Sequence, residues 1–478
     1  MTFHREIKNL LYSLFILFFA SSFSAQAQPK HAISIPFPNK QQLAWQQAEF
    51  GMVFHYDLHV FDSSKYSQPA NRITPVADYN IFNPSQLNIE QWVLTTKQAG
   101  AKFALLTATH ETGFALYQSD VNPYCLKAVK WKDGKGDLVK DFVEACRKHG
   151  IQPGIYLGIR WNSFLGVHDF TVDGTGEMQK NRQAYYNKMV EGMVEEICTR
   201  YGPLFEIWFD GGASDPDKGA PDVLPIVKKY QPDCLFYHND QLAEARWGGS
   251  ENGTVDYPCW STFPYPYTGA GESAAKAIAA NNFALLKHGD SLGTYWVPAM
   301  ADAPLRGYNG RHEWFWEPSY EDHIYPLRDL MEIYYKSVGR NATLIMGLTP
   351  DASGLLPAAD VQRLKEWGDE IKKRFDSPVA VASGKGTLLE IRLRNAQPIN
   401  QFVIQEDIAK GHRIKNFSIH AQVNGKWKTL VQGSAVGNKY IHLLAKPVVS
   451  GKFRLQVDKS VAEPAIVNFG VYNIAADR

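Results

Sequence analysis

A short acidic segment near the middle of the chain is the first candidate for chemistry. Residues 204–212 read Leu-Phe-Glu-Ile-Trp-Phe-Asp-Gly-Gly, so five apolar residues come before an aspartate and two glycines follow it. A run of this kind, bounded by glycine, indicates a strand buried on both faces, as in a parallel sheet. Asp210 then lies where the strand ends, which in a (β/α) barrel is the edge that carries catalytic side chains. The alternative is a carboxylate that only caps the next loop.

A second carboxylate follows in a glycine-rich loop. Retaining cleavage of a glycosidic bond uses two carboxyl groups about 5–5.5 Å apart, one as nucleophile and one as acid/base. Glu251 lies in the run Arg-Trp-Gly-Gly-Ser-Glu-Asn-Gly of residues 246–253, which could lean over the barrel edge. The alternative for Glu251 is a solvated loop residue. Glu206 is a weaker candidate because it lies in mid-strand, where it could face the barrel interior in a structural or acid role.

Further polar and aromatic residues fall at or near the ends of other apolar segments. Such side chains would converge on one rim of a barrel. Each histidine taken singly is more often a structural residue whose hydrogen bonds are satisfied, so their joint position carries the argument. The residues are His55, His110, Glu111, Tyr156, Arg160, Trp161, Asn162, His238, Asn239, Asp240 and Trp296.

The elements that would position these side chains alternate between strand and helix from Gln41 to Trp367. This rhythm predicts a parallel sheet, and above all a closed eight-stranded (β/α) barrel. A helix over residues 137–149 has apolar residues on one face and ends at Gly150. The predicted strands cover residues 50–55, 102–109, 153–158, 204–210, 235–240, 293–298 and 343–348.

The pattern changes after Ile371. Asp376-Ser377-Pro378 has the composition of a linker, and short segments of alternating hydrophobicity with intervening glycines follow it. These segments predict an all-β sandwich of about one hundred residues. We therefore divide the chain into a catalytic barrel over residues 28–375 and a β-sandwich over residues 376–478.

The N-terminus has the features of a cleavable signal peptide. Arg5 and Lys8 come before a nearly apolar stretch at residues 10–20, and Ala25-Gln26-Ala27 forms an Ala-x-Ala cleavage site. The apolar stretch is too short for a comfortable membrane span, so no stable membrane insertion is expected. The sequence predicts a signal peptide over residues 1–27 and a periplasmic or secreted protein.

Composition and cysteine spacing limit which partners and cofactors are expected. The net charge of the 478-residue chain is +1 with no long run of one sign, so nucleic acid is not an expected partner. The five cysteines lie far apart and no pair has zinc-ligand spacing, although one disulfide could form in an oxidising compartment. A metal site could be imagined from His55, His59, His110 and Asp210, but their spacing in the sequence does not support one. Neither a metal nor another cofactor is predicted.

Six short motifs, in this order, resemble glycoside hydrolase family 29, the α-L-fucosidases. The resemblance runs from about Trp45 to Trp367. The loop at residues 247–253 is similar to the Trp-x-Gly-Asn-Glu-x-Gly loop of the family branch that prefers α-1,3/1,4 linkages, with Ser250 in place of Asn. The six motifs are Phe82-Asn83-Pro84 with Gln91-Trp92, Leu106-Thr107-Ala108, Gly113-Phe114, Gly134-Lys135-Gly136-Asp137, Trp208-Phe209-Asp210-Gly211 and Ser337-Val338-Gly339-Arg340-Asn341.

The resemblance implies roles for individual residues. Asp210 would be the nucleophile and Glu251 the acid/base. Glu111 replaces the second histidine of the family motif, and Met300 replaces a common glutamate. Residues 405–417 are similar to the discoidin-like, galactose-binding type of β-sandwich that follows the barrel in this family. The implied substrate-binding residues are His55, His110, Glu111, Tyr156, Trp208, Trp296 and Arg306.

Together these features predict a retaining exo-α-L-fucosidase that removes terminal α-1,3/1,4-linked fucose. Its partner would be a fucosylated oligosaccharide or glycoconjugate. Two alternatives stay open at this stage. One is another retaining exo-glycosidase on the same barrel, such as an α-galactosidase, and the other is an inactive carbohydrate-binding homologue.

Overall fold

The structure, a computed structural model, describes residues 35–65, 68–266, 283–318 and 321–474. The predicted signal peptide lies outside these residues. The described helices are α1 (Lys40–Ala48), α2 (Gln68–Asn71), α3 (Ile89–Gln98), α4 (Leu138–His149), α5 (Gly176–Arg200), α6 (Leu224–Tyr230), α7 (Phe283–His288), α8 (Leu327–Lys336) and α9 (Ala358–Phe375).

The strands fall into a first group between the helices and a second group at the C-terminal end. The first group is β1 (Phe50–Phe54), β2 (Phe103–Thr109), β3 (Gln152–Leu157), β4 (Val167–His168), β5 (Thr171–Val172), β6 (Glu206–Phe209), β7 (Leu235–Tyr237), β8 (Arg246–Trp247), β9 (Thr262–Phe263), β10 (Tyr295–Trp296), β11 (Ala299–Pro304) and β12 (Thr343–Leu348). The second group is β13 (Ala380–Lys385), β14 (Leu388–Glu406), β15 (Ile414–Val423), β16 (Lys426–Gly433), β17 (Tyr440–Ser460) and β18 (Ala465–Tyr472).

Helix α4 shows how local sequence sets an element of the barrel. Asp137 caps its N-terminus by accepting a hydrogen bond from the Lys140 amide at 2.8 Å. Gly150 ends the helix in a left-handed conformation with φ of 72°, which a residue without Cβ adopts at little cost. Leu138, Phe142 and Cys146 are buried, so the predicted apolar face is the one that packs inward.

An eight-stranded parallel sheet forms the centre of the larger domain. Its strand order is β7-β6-β3-β2-β1-β12-β11-β8. Every pairing in it is parallel. In such a sheet all carboxyl ends meet at one edge, which is where the polar residues of the sequence fall.

The predicted closed barrel is corrected in one respect. Among the described residues, no hydrogen-bonded ladder joins the edge strands β7 and β8. These two strands have three and two residues. They are too short to complete the ring of hydrogen bonds, and the sheet is a curled, open barrel.

Side chains alternate between the inside of this sheet and the helices. Val53 belongs to an inner cluster with Trp45, Tyr156 and Trp208, whereas its neighbours Met52 and Phe54 pack on the helical side. Alternation therefore places Glu206 on the inner face with Trp208. Its Oε2 accepts a hydrogen bond from Trp45 Nε1 at 2.9 Å, and burial raises its pKa to about 8. Glu206 is a structural residue beneath the barrel mouth.

The predicted strand at residues 293–298 is also corrected. Tyr295 and Trp296 pair antiparallel with Thr262 and Phe263, outside the barrel sheet. The barrel strand is the next segment, β11, which pairs with β12 and β8. The apolar run of residues 293–305 contains both segments, so its composition did not show where one ends and the other begins.

The C-terminal domain is one antiparallel sheet with strand order β13-β18-β14-β17-β15-β16. The prediction of two packed sheets is corrected to this single sheet. Its long strands β14 and β17 have 19 and 21 residues and their pairing shifts register twice. Register shifts of this kind bend a strand, so one continuous sheet can cover both sides of a core. The buried side chains of five strands form one cluster.

The two domains meet through buried polar contacts. Asn341, in the loop before β12, donates hydrogen bonds to the Cys259 carbonyl at 3.0 Å and to His412 Nε2 at 3.3 Å. Asn438 donates to the Gln46 carbonyl at 2.9 Å. Loops of the C-terminal domain therefore contact both a loop and helix α1 of the barrel domain.

All five cysteines are buried free thiols. The disulfide that the sequence left open is not present. Within the ranges that the structure describes, no helix has the length and apolar character needed to cross a membrane.

Candidate active site

A cavity of about 240 Å³ opens at the carboxyl edge of the barrel sheet. It gathers side chains from the ends of β1, β2, β3, β6 and β11 and from three loops. We call it the inner cavity. It is lined by His55, Arg72, His110, Tyr156, Trp208, Asp210, Glu251, Asp302, His312, Trp314 and Phe315.

Asp210 follows the last residue of β6 and reaches the inner cavity directly. The Tyr156 hydroxyl donates a hydrogen bond to its Oδ2 at 2.8 Å. Burial is the largest influence and raises the pKa of Asp210; the charge of Glu251 also raises it, and the Tyr156 bond opposes the rise. Asp210 is exposed at the cavity opening, so a substrate can reach its carboxylate, as a nucleophile requires.

Two imidazoles stand beside Asp210 in neutral form. The ring of His110 stacks on that of Tyr156 at 5.4 Å with 14° between the planes. The ring of His55 lies 5.6 Å from both rings. Burial lowers the pKa of His55 to about 3 and lowers the pKa of His110 as well. Neutral imidazoles can both donate to and accept from the hydroxyls of a sugar.

Glu251 enters the cavity from the loop after β8. Gly253 anchors the far end of that loop, because its amide donates to the Asp302 carbonyl at 2.8 Å. Glu251 Oε2 lies 2.5 Å from His312 Nε2 and accepts from Trp314 Nε1 at 2.9 Å. Burial raises the pKa of Glu251, but the hydrogen bonds from His312 and Trp314 outweigh it and leave the pKa below its usual range.

Asp302 is a third carboxyl group on the same cavity. It lies in β11, and its Oδ1 accepts a hydrogen bond from Trp247 Nε1 at 3.1 Å. Burial, followed by the charges of Glu251 and Asp210, holds the pKa of Asp302 well above its usual range. Since Asp302 binds both ends of the Glu251 loop, through Trp247 and Gly253, it positions that loop.

A second cavity of about 200 Å³ adjoins the first, and we call it the side cavity. Asp210 and Glu251 line both cavities. Glu111 lies on the side cavity, where it accepts from Arg72 Nε at 2.8 Å. The Arg72 guanidinium lies 4.8 Å above the ring of Trp161. The residue that replaces the family's second histidine is therefore buried and ion-paired at the edge of the site.

The structure brings Asp210, Glu251 and most of the predicted substrate-binding residues to these two cavities. Those residues are His55, His110, Glu111, Tyr156 and Trp208.

The structure places Trp296 and Arg306 outside the lining of the two cavities. Trp296 belongs to the small β9–β10 ladder, where its Nε1 donates to Gln46 Oε1 at 2.8 Å. Arg306 lies beyond the end of β11 and pairs with Asp360 of α9, with Nη2 2.7 Å from Oδ1. Both members of this ion pair are almost fully buried.

Several lining residues were not on the predicted site. Asp302 could have been found, because it lies two residues after Met300, which the sequence analysis had already compared with a common glutamate of the family. Arg72, His312, Trp314 and Phe315 come from loops whose sequence has no motif that points to a site. Within the described ranges, no group of three His, Cys, Asp or Glu side chains is placed to hold a metal ion.

Comparison with known proteins identifies the family. The sequence profile described as Alpha-L-fucosidase matches residues 21–262, half of the chain. The chain belongs to the α-L-fucosidase family. The fold agrees with that of solved family structures, and the family is the one predicted from the sequence.

Individual relatives agree with this assignment along nearly the whole chain. Alpha-L-fucosidase 1 of Arabidopsis thaliana is 28% identical over 97% of this chain and 94% of its own. A crystal structure of a candidate α-L-fucosidase from Bacteroides thetaiotaomicron is 60% identical, with a TM-score of 0.90 over 92% of this chain and all of that one. A glycoside hydrolase 29 family member from a rumen bacterium is 28% identical, with a TM-score of 0.76 over 93% of this chain and 79% of its own.

Proposed function

We propose that this α-L-fucosidase is a retaining exo-enzyme that uses Asp210 as nucleophile and Glu251 as acid/base. The observation that carries the proposal is that these two carboxyl groups, from separate strand ends, line the same pair of adjoining cavities. The bond to be cleaved would then lie at the junction of the cavities. The inner cavity would hold the fucose. The leaving sugar would lie outside the inner cavity, next to Glu251.

The two half-reactions place opposite demands on the two carboxyl groups. Asp210 attacks the anomeric carbon as a carboxylate while Glu251 gives a proton to the departing oxygen. Glu251 then takes a proton from the water that cleaves the glycosyl-enzyme. The Tyr156 hydrogen bond favours the carboxylate form of Asp210 and opposes the rise in its pKa, which suits a nucleophile.

The inner cavity also fits a single terminal fucose. Trp208, Phe315 and Trp314 provide apolar surface for the C5 methyl group, and the neutral rings of His55 and His110 can bind the ring hydroxyls. A cavity of about 240 Å³ has room for about one sugar ring. This shape supports cleavage at chain ends.

Replacing Asp210 tests the nucleophile. Asp210→Gly should lose nearly all turnover on every substrate, since no covalent intermediate can form. Added azide can occupy the vacated space and attack directly, which would give the β-fucosyl azide with inverted configuration. Glu177→Ala, at an exposed position of α5, is the control and should behave as the unmodified enzyme.

Replacing Glu251 tests the acid/base by a different failure. Glu251→Ala should lose most on substrates with poor leaving groups, about 10²–10⁴-fold, and least on an activated aryl fucoside. Azide should intercept the glycosyl-enzyme and give the α-azide with retained configuration. The same anomer from both variants, or full activity in either, would remove the pair from the mechanism.

We further propose a preference for α-1,3- and α-1,4-linked fucose. Its support is the similarity of the Glu251 loop, residues 247–253, to the family branch with that preference. The test is the ratio of kcat/KM for a Lewis trisaccharide and for 2′-fucosyllactose. The trisaccharide should be the better substrate, and faster cleavage of 2′-fucosyllactose would contradict the proposal.

Location and the role of the C-terminal sheet complete the proposal. We expect the mature protein to begin at Gln28 in the periplasm or outside the cell, which N-terminal sequencing of the exported protein would check. We also expect the C-terminal sheet to be of the discoidin-like type and to contain no catalytic residue, since none of its residues lines the inner or side cavity. The expectation that the sheet is of the discoidin-like type is tested by measuring whether it binds galactosides.

A further inference from the structure

His312 contacts the acid/base directly and no role has been assigned to it. It lies in the loop between β11 and α8, and its side chain is 53% exposed at the mouth of the inner cavity. Its Nε2 lies 2.5 Å from Glu251 Oε2. Such a distance indicates a charge-assisted hydrogen bond, and the carboxyl group that it engages is the one that must deliver the proton.

The loop holds His312 in this position through its two neighbours. Arg311 Nε donates to His323 Nε2 at 3.1 Å, and Glu313 Oε1 lies 2.5 Å from His323 Nδ1. The Glu313 amide also donates to the Arg306 carbonyl at 3.3 Å. Residues 311 and 313 thus face His323, and alternation in an extended segment turns residues 312 and 314 to the cavity.

His312 and Trp314 share one oxygen of Glu251. Trp314 Nε1 carries a single hydrogen. It lies 2.9 Å from Glu251 Oε2 and 3.0 Å from His312 Nε2, so Oε2 is the nearer acceptor. An indole can only donate, and His312 Nε2 donates to a carboxylate when it is protonated. Oε2 therefore has two donors in the free enzyme, an arrangement that stabilises the carboxylate and opposes the acid form that the first half-reaction needs.

Access to Glu251 runs through the same space. The Glu251 side chain is 39% exposed, and the leaving-group sugar has to bring its glycosidic oxygen to this carboxyl group. His312 is the most exposed member of the cluster formed with Glu251 and Trp314. A sugar that enters there meets the imidazole first.

We propose that His312 is a specificity-determining residue that holds Glu251 as a carboxylate in the free enzyme and releases it when a leaving-group sugar enters. As the imidazolium withdraws, its Nε2 proton stays on Glu251 and the imidazole leaves neutral. The enzyme would thereby complete its general acid only on glycans. This inference rests on the proposed role of Glu251 as acid/base.

The charges around the pair agree with this direction. Hydrogen bonding to Glu251 raises the pKa of His312, which favours the imidazolium. The other titratable groups on the cavity are Asp210, Asp302, His55, His110, Tyr156 and Arg72. Asp210 and Asp302 favour a protonated Glu251, and Arg72 opposes it. Neutral His55, His110 and Tyr156 supply no full charge. His312 is the partner of Glu251 whose charge a substrate can remove.

The test compares two substrates with poor leaving groups, methyl α-L-fucoside and a Lewis trisaccharide. The pH dependence of kcat reports ionisations in the enzyme–substrate complex. Methyl α-L-fucoside leaves His312 in place, so His312→Phe should move the alkaline limb of kcat up by about 1–3 pH units, the usual effect of one adjacent charge. The trisaccharide has already displaced His312, so its kcat profile should be the same in both enzymes.

The controls separate charge from contact and from folding. His312→Gln keeps a donor without the charge and should move the limb for methyl α-L-fucoside in the same direction by a smaller amount. His149→Phe removes a matched imidazole on the surface, where Nε2 lies 2.7 Å from Glu90 Oε1, and should change neither profile.

Two results would overturn the proposal. One is an unchanged methyl α-L-fucoside profile in both His312 variants, which would mean that the imidazole does not hold Glu251 ionised. The other is an equal shift for both substrates, which would mean that the sugar does not displace it. The azide products of Glu251→Ala are independent of His312, so a failure of the acid/base assignment would be recognised separately.

Discussion

Tyr156→Phe tests how the barrel keeps its nucleophile ionised. The substitution removes only the hydroxyl that donates to Asp210 Oδ2 at 2.8 Å. The ring remains and can keep its stacking on His110. Because the hydrogen bond stabilises the carboxylate form, its loss should raise the pKa of Asp210.

The expected size follows from the kind of bond. A hydrogen bond to a charged group contributes about 1.5–3 kcal/mol, and one pKa unit corresponds to about 1.36 kcal/mol. The pKa of Asp210 should therefore rise by about 1–2 units. The attacking form is the carboxylate, which is lost as the pH falls through this pKa, so the acidic limb of kcat/KM should move to higher pH by the same amount.

The assay is kcat/KM for an activated aryl α-L-fucoside across the acidic range. Such a substrate needs little help from Glu251, so the acidic limb reports the nucleophile. Tyr117→Phe is the control, because the Tyr117 hydroxyl also donates to a buried carboxylate, Glu196 Oε2, at 3.1 Å. An acidic limb that stays in place in Tyr156→Phe, or moves to lower pH, would refute the reasoning.

Three further predictions concern residues outside the inner cavity. Arg306→Met should leave Asp360 buried without its partner and destabilise the fold by about 3–5 kcal/mol, and a second substitution, Asp360→Leu, should recover most of this in a thermal unfolding measurement. In the folded protein Glu206 stays protonated as the pH rises from the ordinary glutamate pKa towards about 8, while in the unfolded chain it ionises, so the protein loses stability over that range. Glu206→Gln should make this loss of stability smaller. An equally steep decline of the unfolding temperature with pH in the variant would contradict this. Trp296→Phe should lower stability through the lost hydrogen bond to Gln46 but leave KM for a fucoside unchanged, and a marked rise in KM would return Trp296 to the sugar site.

Much of the active site was readable in the sequence because it lies at strand ends. A buried parallel strand appears as an apolar run, and the first polar residue after it must face the catalytic edge. This rule placed His55, His110 and Asp210, and the structure has all three on the inner cavity. Alternation along the same strands accounts for Tyr156 and Trp208. The family motifs then identified the chain, since six short matches in order are far more specific than any one of them.

Tertiary structure decided the residues whose position depends on a distant partner. The run of residues 293–305 is mostly apolar, and only pairing with β9 or with β12 separates Trp296 from the barrel strand that carries Asp302. Arg306 has its role from Asp360, which is 54 residues away. No local pattern encodes such a meeting, because it depends on how α9 packs across the barrel.

The environment of Glu251 shows the same division. The sequence around Glu251 indicated a loop that could reach the barrel edge. It did not indicate that Glu251 would contact His312 and Trp314, which lie 61 and 63 residues further along the chain. Periodicity within one segment determines which way a side chain faces. The pKa of an acid depends on the charges and burial around it, and these are set only when separate loops fold against each other.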